Sequence, residues 1–245
     1  MTYNFEKYIQ TYKNEKELPG SKEKVEIRPL TTNDMKKLLV YENEKDPLVG
    51  EKILDQVIND AVLTEDFDID KLFLQDRYYL FIELRKLTKG SLYNFTYNCK
   101  GCKGQSLQTL NLDEIEPRQK GEYEKELSLL DGNIVLEMGY VTRKEQKEAF
   151  ALIEGTMTVT QKQVEMILSD IACAIKSINT KEGKEDIPIK RKMEFIGNLP
   201  GKEYDKIKGW YEKNDFGFDL SMEIKCPHCE AKPEKIQIPL DNFFV

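Results

Sequence analysis

Cys99-Lys-Gly-Cys102 and Cys226-Pro-His-Cys229 are two C-x-x-C knuckles, and each closes a segment of the same layout. Gly90 stands as far before Cys99 as Gly217 stands before Cys226. In between, Tyr93, Phe95 and Tyr97 alternate with Asn94, Thr96 and Asn98. At the same offset, Leu220, Met222 and Ile224 alternate with Ser221, Glu223 and Lys225. A period of two marks a half-buried strand. A polar strand follows each knuckle, ending Leu112-Asp113 in one copy and Leu240-Asp241 in the other. A C-x-x-C turn aims both sulfurs at one point. Two such turns supply four thiolates, the ligand set of a closed structural zinc site. Cys99, Cys102, Cys226 and Cys229 are therefore expected to hold one structural Zn2+. Gly101 and Gly104 permit a tight first knuckle, and Pro227 stiffens the second. A thioredoxin-like redox pair fits less well, because neither knuckle leads from a strand into a helix.

The other reactive residue types offer little. His228 is the sole histidine, which leaves no base for Ser-His-Asp or Cys-His catalysis. Inside C-P-H-C it reads as a turn residue, since the cysteines already complete the ligand set. Cys173 lies between Ile171 and Ile175 and reads as core. No phosphate-binding or dinucleotide glycine motif is present. Glu65 to Asp70 is acidic but lacks the glycine and distal glutamate of a calcium loop, and reads as a solvated helix entry. No catalytic residues and no small-molecule substrate are expected. The balance of 37 Lys+Arg against 44 Asp+Glu gives a net charge of −7, which disfavours nucleic acid and membrane surfaces as partners. Five cysteines without an export signal point to a reducing compartment and to metal rather than disulfides.

The elements that must carry the knuckles follow from periodicity. Residues 1–23 read as an N-terminal arm, with Tyr3, Phe5, Tyr8, Ile9 and Tyr12 suited to docking. Residues 24–245 read as a single α+β domain. Val25 to Leu30 is a short strand, and helices follow near Met35–Tyr41, Asp46–Ala61 and Leu72–Leu87. Leu127 to Leu136 forms a hairpin around Asp131-Gly132. Helices are expected over Arg143–Glu154, Thr160–Ile178, Arg191–Ile196 and Lys202–Lys213, with a loop at Thr180–Asp186. The fold class expected is α+β: two hairpins, near 91–113 and 218–241, joined as a composite zinc ribbon and surrounded by helices. The two hairpins are expected to be related by an approximate two-fold axis through the metal.

Three groups of residues together carry a family resemblance. One is Leu18-Pro19 with Val25-Glu-Ile-Arg28-Pro29-Leu30-Thr31-Thr32 and Lys36-Lys37-Leu38-Leu39. The second is Leu74-Gln-Asp76-Arg-Tyr-Tyr-Leu80-Phe-Ile-Glu-Leu84-Arg85, running on to Tyr97-Asn98-Cys99. The third runs from Phe216-Gly217 through the second knuckle to Pro239-Leu240-Asp-Asn-Phe243-Phe244. Residues 120–190 carry no such string. The pattern resembles the baseplate hub and hub-assembly proteins of contractile-tailed, T-even-like bacteriophages. The resemblance implies a non-enzymatic structural or assembly protein of the virion tail, made in the host cytoplasm. Its partners would be other baseplate and tail proteins, with copies of itself among the candidates. Trp210, Tyr211, Phe243 and Phe244 are candidate contact anchors, with ordinary core as the alternative for each. A rival reading is a zinc-ribbon nucleic-acid-binding factor. It needs a positive patch around Lys100, Lys103, Lys225 and Lys232.

Overall fold

The computed structural model describes residues 12–230, 232–240 and 243–244. The chain begins with a hairpin, β1 (Asn14–Glu17) and β2 (Lys24–Ile27), and three helices, α1 (Thr32–Asn43), α2 (Pro47–Ala61) and α3 (Leu74–Lys89). The first knuckle hairpin is β3 (Leu92–Asn98) and β4 (Gln105–Asn111). Then come β5 (Glu126–Leu129), β6 (Ile134–Met138), α4 (Arg143–Phe150), α5 (Val159–Ala174), β7 (Ile175–Thr180) and β8 (Gly183–Glu185). Helices α6 (Ile189–Gly197) and α7 (Gly201–Asn214) lead to the second knuckle hairpin, β9 (Ser221–Ile224) and β10 (Glu234–Gln237). The fold is mixed α and β with small antiparallel sheets. Among the described residues three are two-stranded, and β5-β6-β7-β8 makes a fourth. Among the described residues no helix is long and apolar enough to cross a membrane.

Local chemistry sets the boundaries. Asp46 accepts the Leu48 N–H at 3.0 Å, with Pro47 opening α2. Thr142 with Glu145, and Thr158 with Gln161, form capping boxes on α4 and α5. Helix α3 stops at Gly90, whose φ of 84° suits a residue without a side chain.

Two apolar clusters result. The first joins β2, α1, α2 and α3 to both knuckle hairpins; the second joins the four-stranded sheet to α4–α7. A buried ion network spans them. Asp55 on α2 accepts from Arg77 Nε on α3 at 2.7 Å and from Arg143 Nε on α4 at 3.0 Å. Arg143 is 1% exposed, and it also donates to Gln146, which in turn donates to Asp170 on α5 at 2.7 Å. Burial alone would raise the Asp55 pKa, but Arg77, Arg143 and Lys147 outweigh it and hold the carboxyl below its ordinary value. Asp170 goes the other way: burial, with Glu51 nearby, pushes it up to about 6.

Several expectations are corrected. The stretch 14–23 is no free arm: β1 pairs with β2, Leu18 is fully buried, and Asp76 accepts the Gly20 and Ser21 N–H groups at 2.6 and 3.0 Å. Tyr12 is exposed, whereas Tyr3, Phe5, Tyr8 and Ile9 lie outside the described residues. The helix expected to reach Ile178 ends at Ala174. From Ile175 the chain, with β-branched Ile175, Ile178 and Thr180, pairs with β6, and the expected loop folds back as β8. Trp210, Phe243 and Phe244 are core, and Tyr211 is half-buried with its hydroxyl donating to the Asp170 carbonyl. Their burial leaves them unable to serve as surface anchors.

Asp55→Asn should cost about 3 kcal/mol in urea unfolding, because it leaves two buried guanidinium groups with Glu51 as their remaining carboxylate. Removing the exposed Glu15 partner of Lys24 should leave the unfolding midpoint nearly unchanged. Equal effects would contradict the network's role. Asp170 has a raised folded pKa. Its contribution is therefore intact below the unfolded value and is lost as pH rises through about 6. Asp170→Asn should stabilise the protein by roughly 2 kcal/mol at neutral pH, and by less than half of that in mild acid. A pH-independent difference would contradict the assignment.

Candidate metal centre

The two knuckles stand on hairpins that share the first cluster. β3 pairs with β4 from Leu92↔Asn111 to Asn98↔Gln105, and β9 pairs with β10 from Ser221↔Gln237 to Ile224↔Glu234. Tyr97 lies opposite Ser106 and Ile224 opposite Glu234, so the second loop is one residue longer. Tyr93, Phe95 and Tyr97 meet Leu220, Ile224 and half-buried Met222 in one core, as the alternation predicts. The Tyr93 hydroxyl donates to the Pro239 carbonyl at 2.7 Å and ties the hairpins together. Beneath them, buried Arg85 donates to the carbonyls of Gly90 at 2.6 Å, Leu92 at 3.1 Å and Phe243. One guanidinium thus fixes the end of α3, the start of β3 and the segment after β10. Gly90 and Gly217 share a positive φ, 84° and 82°. Only Gly90 ends a helix: α7 stops earlier, and Gly217 exchanges backbone hydrogen bonds with Arg118.

At the hairpin tips all four predicted sulfurs converge within 4.8 Å of one another. Cys99 and Cys229 are 3.8 Å apart, and Cys102 and Cys226 are 3.7 Å apart. Both separations pair one knuckle with the other, and both far exceed the roughly 2.05 Å of a disulfide. A tetrahedral ion with Zn–S bonds near 2.3 Å places its sulfurs about 3.8 Å apart. Two of the six edges of such a tetrahedron are therefore matched, and the other sulfur pairs lie within 4.8 Å. Cys99 and Cys226 face the core, Cys229 is half-buried and Cys102 is exposed.

Backbone amides prepare the sulfurs for negative charge. Gly104 N–H donates to Cys102 Sγ at 3.4 Å, and His228 N–H to Cys226 Sγ at 3.3 Å. The Cys102 N–H holds the Cys99 thiol down to about 6 against the opposing effect of burial, helped by the Gly101 N–H and the neighbouring Cys226 and Cys229. A thiolate is the form that binds metal. Cys173 is the contrast: burial pushes its thiol up to about 12, and it donates to the Glu145 carbonyl from within α5.

Gly104 and His228 read in the sequence as turn residues, and each also makes a contact between the knuckles that the sequence does not show. A Cβ on Gly104 would sit 3.0 Å from His228 Cδ2 and 3.2 Å from Cys102 Sγ, so glycine lets the knuckles approach. His228 is exposed, and its Nε2 donates to the Gln105 carbonyl at 2.9 Å, bracing the second knuckle against the first hairpin. Neither contact has a local signal, because each joins residues far apart in the chain. Lys100 pairs with Glu234 across the hairpins. That neutralises one of the lysines a nucleic-acid surface would need.

Cobalt titrated into metal-free protein should saturate at one ion per chain and give the absorption of a tetrahedral all-sulfur site. Cys229→Ser should weaken that binding by at least a hundredfold, while Cys173→Ser leaves it unchanged. Equal effects would rule out the assigned ligand set.

Comparison with known proteins adds the family. The model of the family described as T4 bacteriophage base plate protein matches residues 9–245. It runs through residues 120–190, where no recognisable string stood. No curated protein and no solved structure matches the chain. With nearly its whole length matched, the chain belongs to the T4 bacteriophage base plate protein family.

Proposed function

We propose that this chain is a structural or assembly component of the phage tail baseplate hub that works by protein–protein contact and is held together by one zinc ion. The family match supports the baseplate role. The tetrahedral spacing of Cys99, Cys102, Cys226 and Cys229 carries the zinc assignment. The ion joins the two hairpins into a composite zinc ribbon, with an approximate two-fold axis through the metal. Four protein sulfurs leave no open position for water or substrate, so the role of the metal is structural and the protein is not an enzyme. The ion closes the long loop between the knuckles and contributes folding free energy on the order of 10 kcal/mol before coupled costs. The protein is made in the host cytoplasm and incorporated into the tail baseplate, where its partners are other tail proteins.

Complementation tests this reading. Phage carrying Cys226→Ser should yield few complete baseplates and a protease-sensitive chain, whereas Cys173→Ser phage should assemble normally. Normal baseplates built with metal-free Cys226→Ser protein would overturn the structural role of zinc. Normal baseplates in the complete absence of the chain would overturn the assembly role.

A further inference from the structure

The sulfur contacts at the knuckle tips cross from one hairpin to the other. Cys99 Sγ meets Cys229 Sγ at 3.8 Å, and Cys102 Sγ meets Cys226 Sγ at 3.7 Å. Closing either pair to the roughly 2.05 Å of a disulfide moves each sulfur by less than about 1 Å. The surrounding backbone is already pinned. Cys99 N–H donates to the Gly104 carbonyl and Lys103 N–H to the Cys99 carbonyl, both at 2.9 Å. His228 and the Lys100–Glu234 pair hold the second hairpin against the first without using any sulfur.

Access divides the four cysteines in a telling way. Cys102 is exposed and Cys229 half-buried, while Cys99 and Cys226 are buried. Each cross pair therefore joins one solvent-facing sulfur to one core-facing sulfur, Cys102 to Cys226 and Cys229 to Cys99. A reagent that reaches the outer sulfur finds a second cysteine directly behind it. An accessible cysteine beside a resolving cysteine is the arrangement that oxidises reversibly. The fifth cysteine takes no part. Cys173 is buried in the other apolar cluster and donates to the Glu145 carbonyl, out of reach of the tetrad's exchange chemistry.

We propose that the tetrad is also an oxidative modification site, which a peroxide converts from a metal centre into two cross-hairpin disulfides, Cys102–Cys226 and Cys99–Cys229. The Cys102 sulfur attacks the peroxide first. An S–O bond forms, the O–O bond breaks, and a sulfenic acid and hydroxide result. The Cys226 sulfur then attacks the Cys102 sulfur. An S–S bond forms, the S–O bond breaks, and a second hydroxide leaves. Each disulfide gives up two electrons, which reduce one peroxide, and two protons turn the two hydroxides into water. Cys229 and Cys99 repeat the sequence. An ion that has lost its first pair of sulfurs keeps only two ligands and departs. Both states close the same long stretch of chain, since Cys102 and Cys226 stand 124 positions apart. A chain already folded around the ion therefore keeps its fold when covalent bonds replace it. The inference rests on the zinc reading only for the release of the ion.

Hydrogen peroxide added to the full chain as purified, after its zinc content has been measured, tests this. Released zinc is followed with a colorimetric chelator, and non-reducing digests are mapped by mass spectrometry. One zinc should leave for every two disulfides formed, and the digests should join Cys102 to Cys226 and Cys99 to Cys229. Circular dichroism should be unchanged, and dithiothreitol with zinc should restore the thiols. Cys102→Ser should slow zinc release at least tenfold and leave Cys99–Cys229 as the sole cross-link, whereas Cys173→Ser should change nothing. Brief alkylation of the unmutated chain with iodoacetamide gives an independent reading: Cys102 should be labelled first and Cys173 last. Disulfides within a knuckle, a cross-link to Cys173, or a tetrad that peroxide leaves intact would overturn the proposal. The predicted cross-links in a chain that carries no zinc would instead overturn the zinc reading alone.

Discussion

Four sulfurs supplied by two remote stretches of chain reach one point, and most of the architecture can be understood as what that convergence requires. The hairpins must lie side by side, so their apolar faces form one core with α3 beneath it. Everything between the knuckles must leave and return, and that closed loop is where the second cluster is built. Closing a loop this long costs the unfolded chain much entropy, which an ion bound only in the folded state would offset. The protein prepares for the ion: amides face the sulfurs, Cys99 is already acidic, and Gly104 leaves room for the opposing knuckle.

A second constraint keeps the two clusters from behaving as separate domains. Asp55, Arg77 and Arg143 come from three helices and are buried together, with Glu51 bridging both arginines, so removing any one of them unbalances a buried charge cluster. Aromatic contacts along the same seam, Phe73 with Tyr140 and Tyr140 with Phe216, add apolar cohesion.

The knuckles, their flanking alternation and the helix ending at Gly90 were legible in the sequence because their signals are local. Period-two patterning and a glycine after a helix depend only on neighbours in the chain. The partners of Asp55 and Arg143 were not legible. Nothing near either residue marks it as buried, and the pairing arises only when α2 meets α4. The strand at Ile175 was misread for a related reason. Its residues continue the apolar pattern of α5, and the waiting edge of β6 decides in favour of a strand. Likewise Phe243 and Phe244 look like exposed anchors in a polar tail until Phe81, Tyr93 and Arg85 are seen to receive Phe243.

The central claim is a single zinc ion held by four cysteine sulfurs. X-ray absorption at the zinc edge, on protein purified without added metal, tests it most directly. The account predicts one equivalent of zinc with a shell of four sulfurs near 2.3 Å and no nitrogen or oxygen neighbour. Protein that folds and assembles without metal, or a shell in which oxygen or nitrogen replaces sulfur, would contradict it.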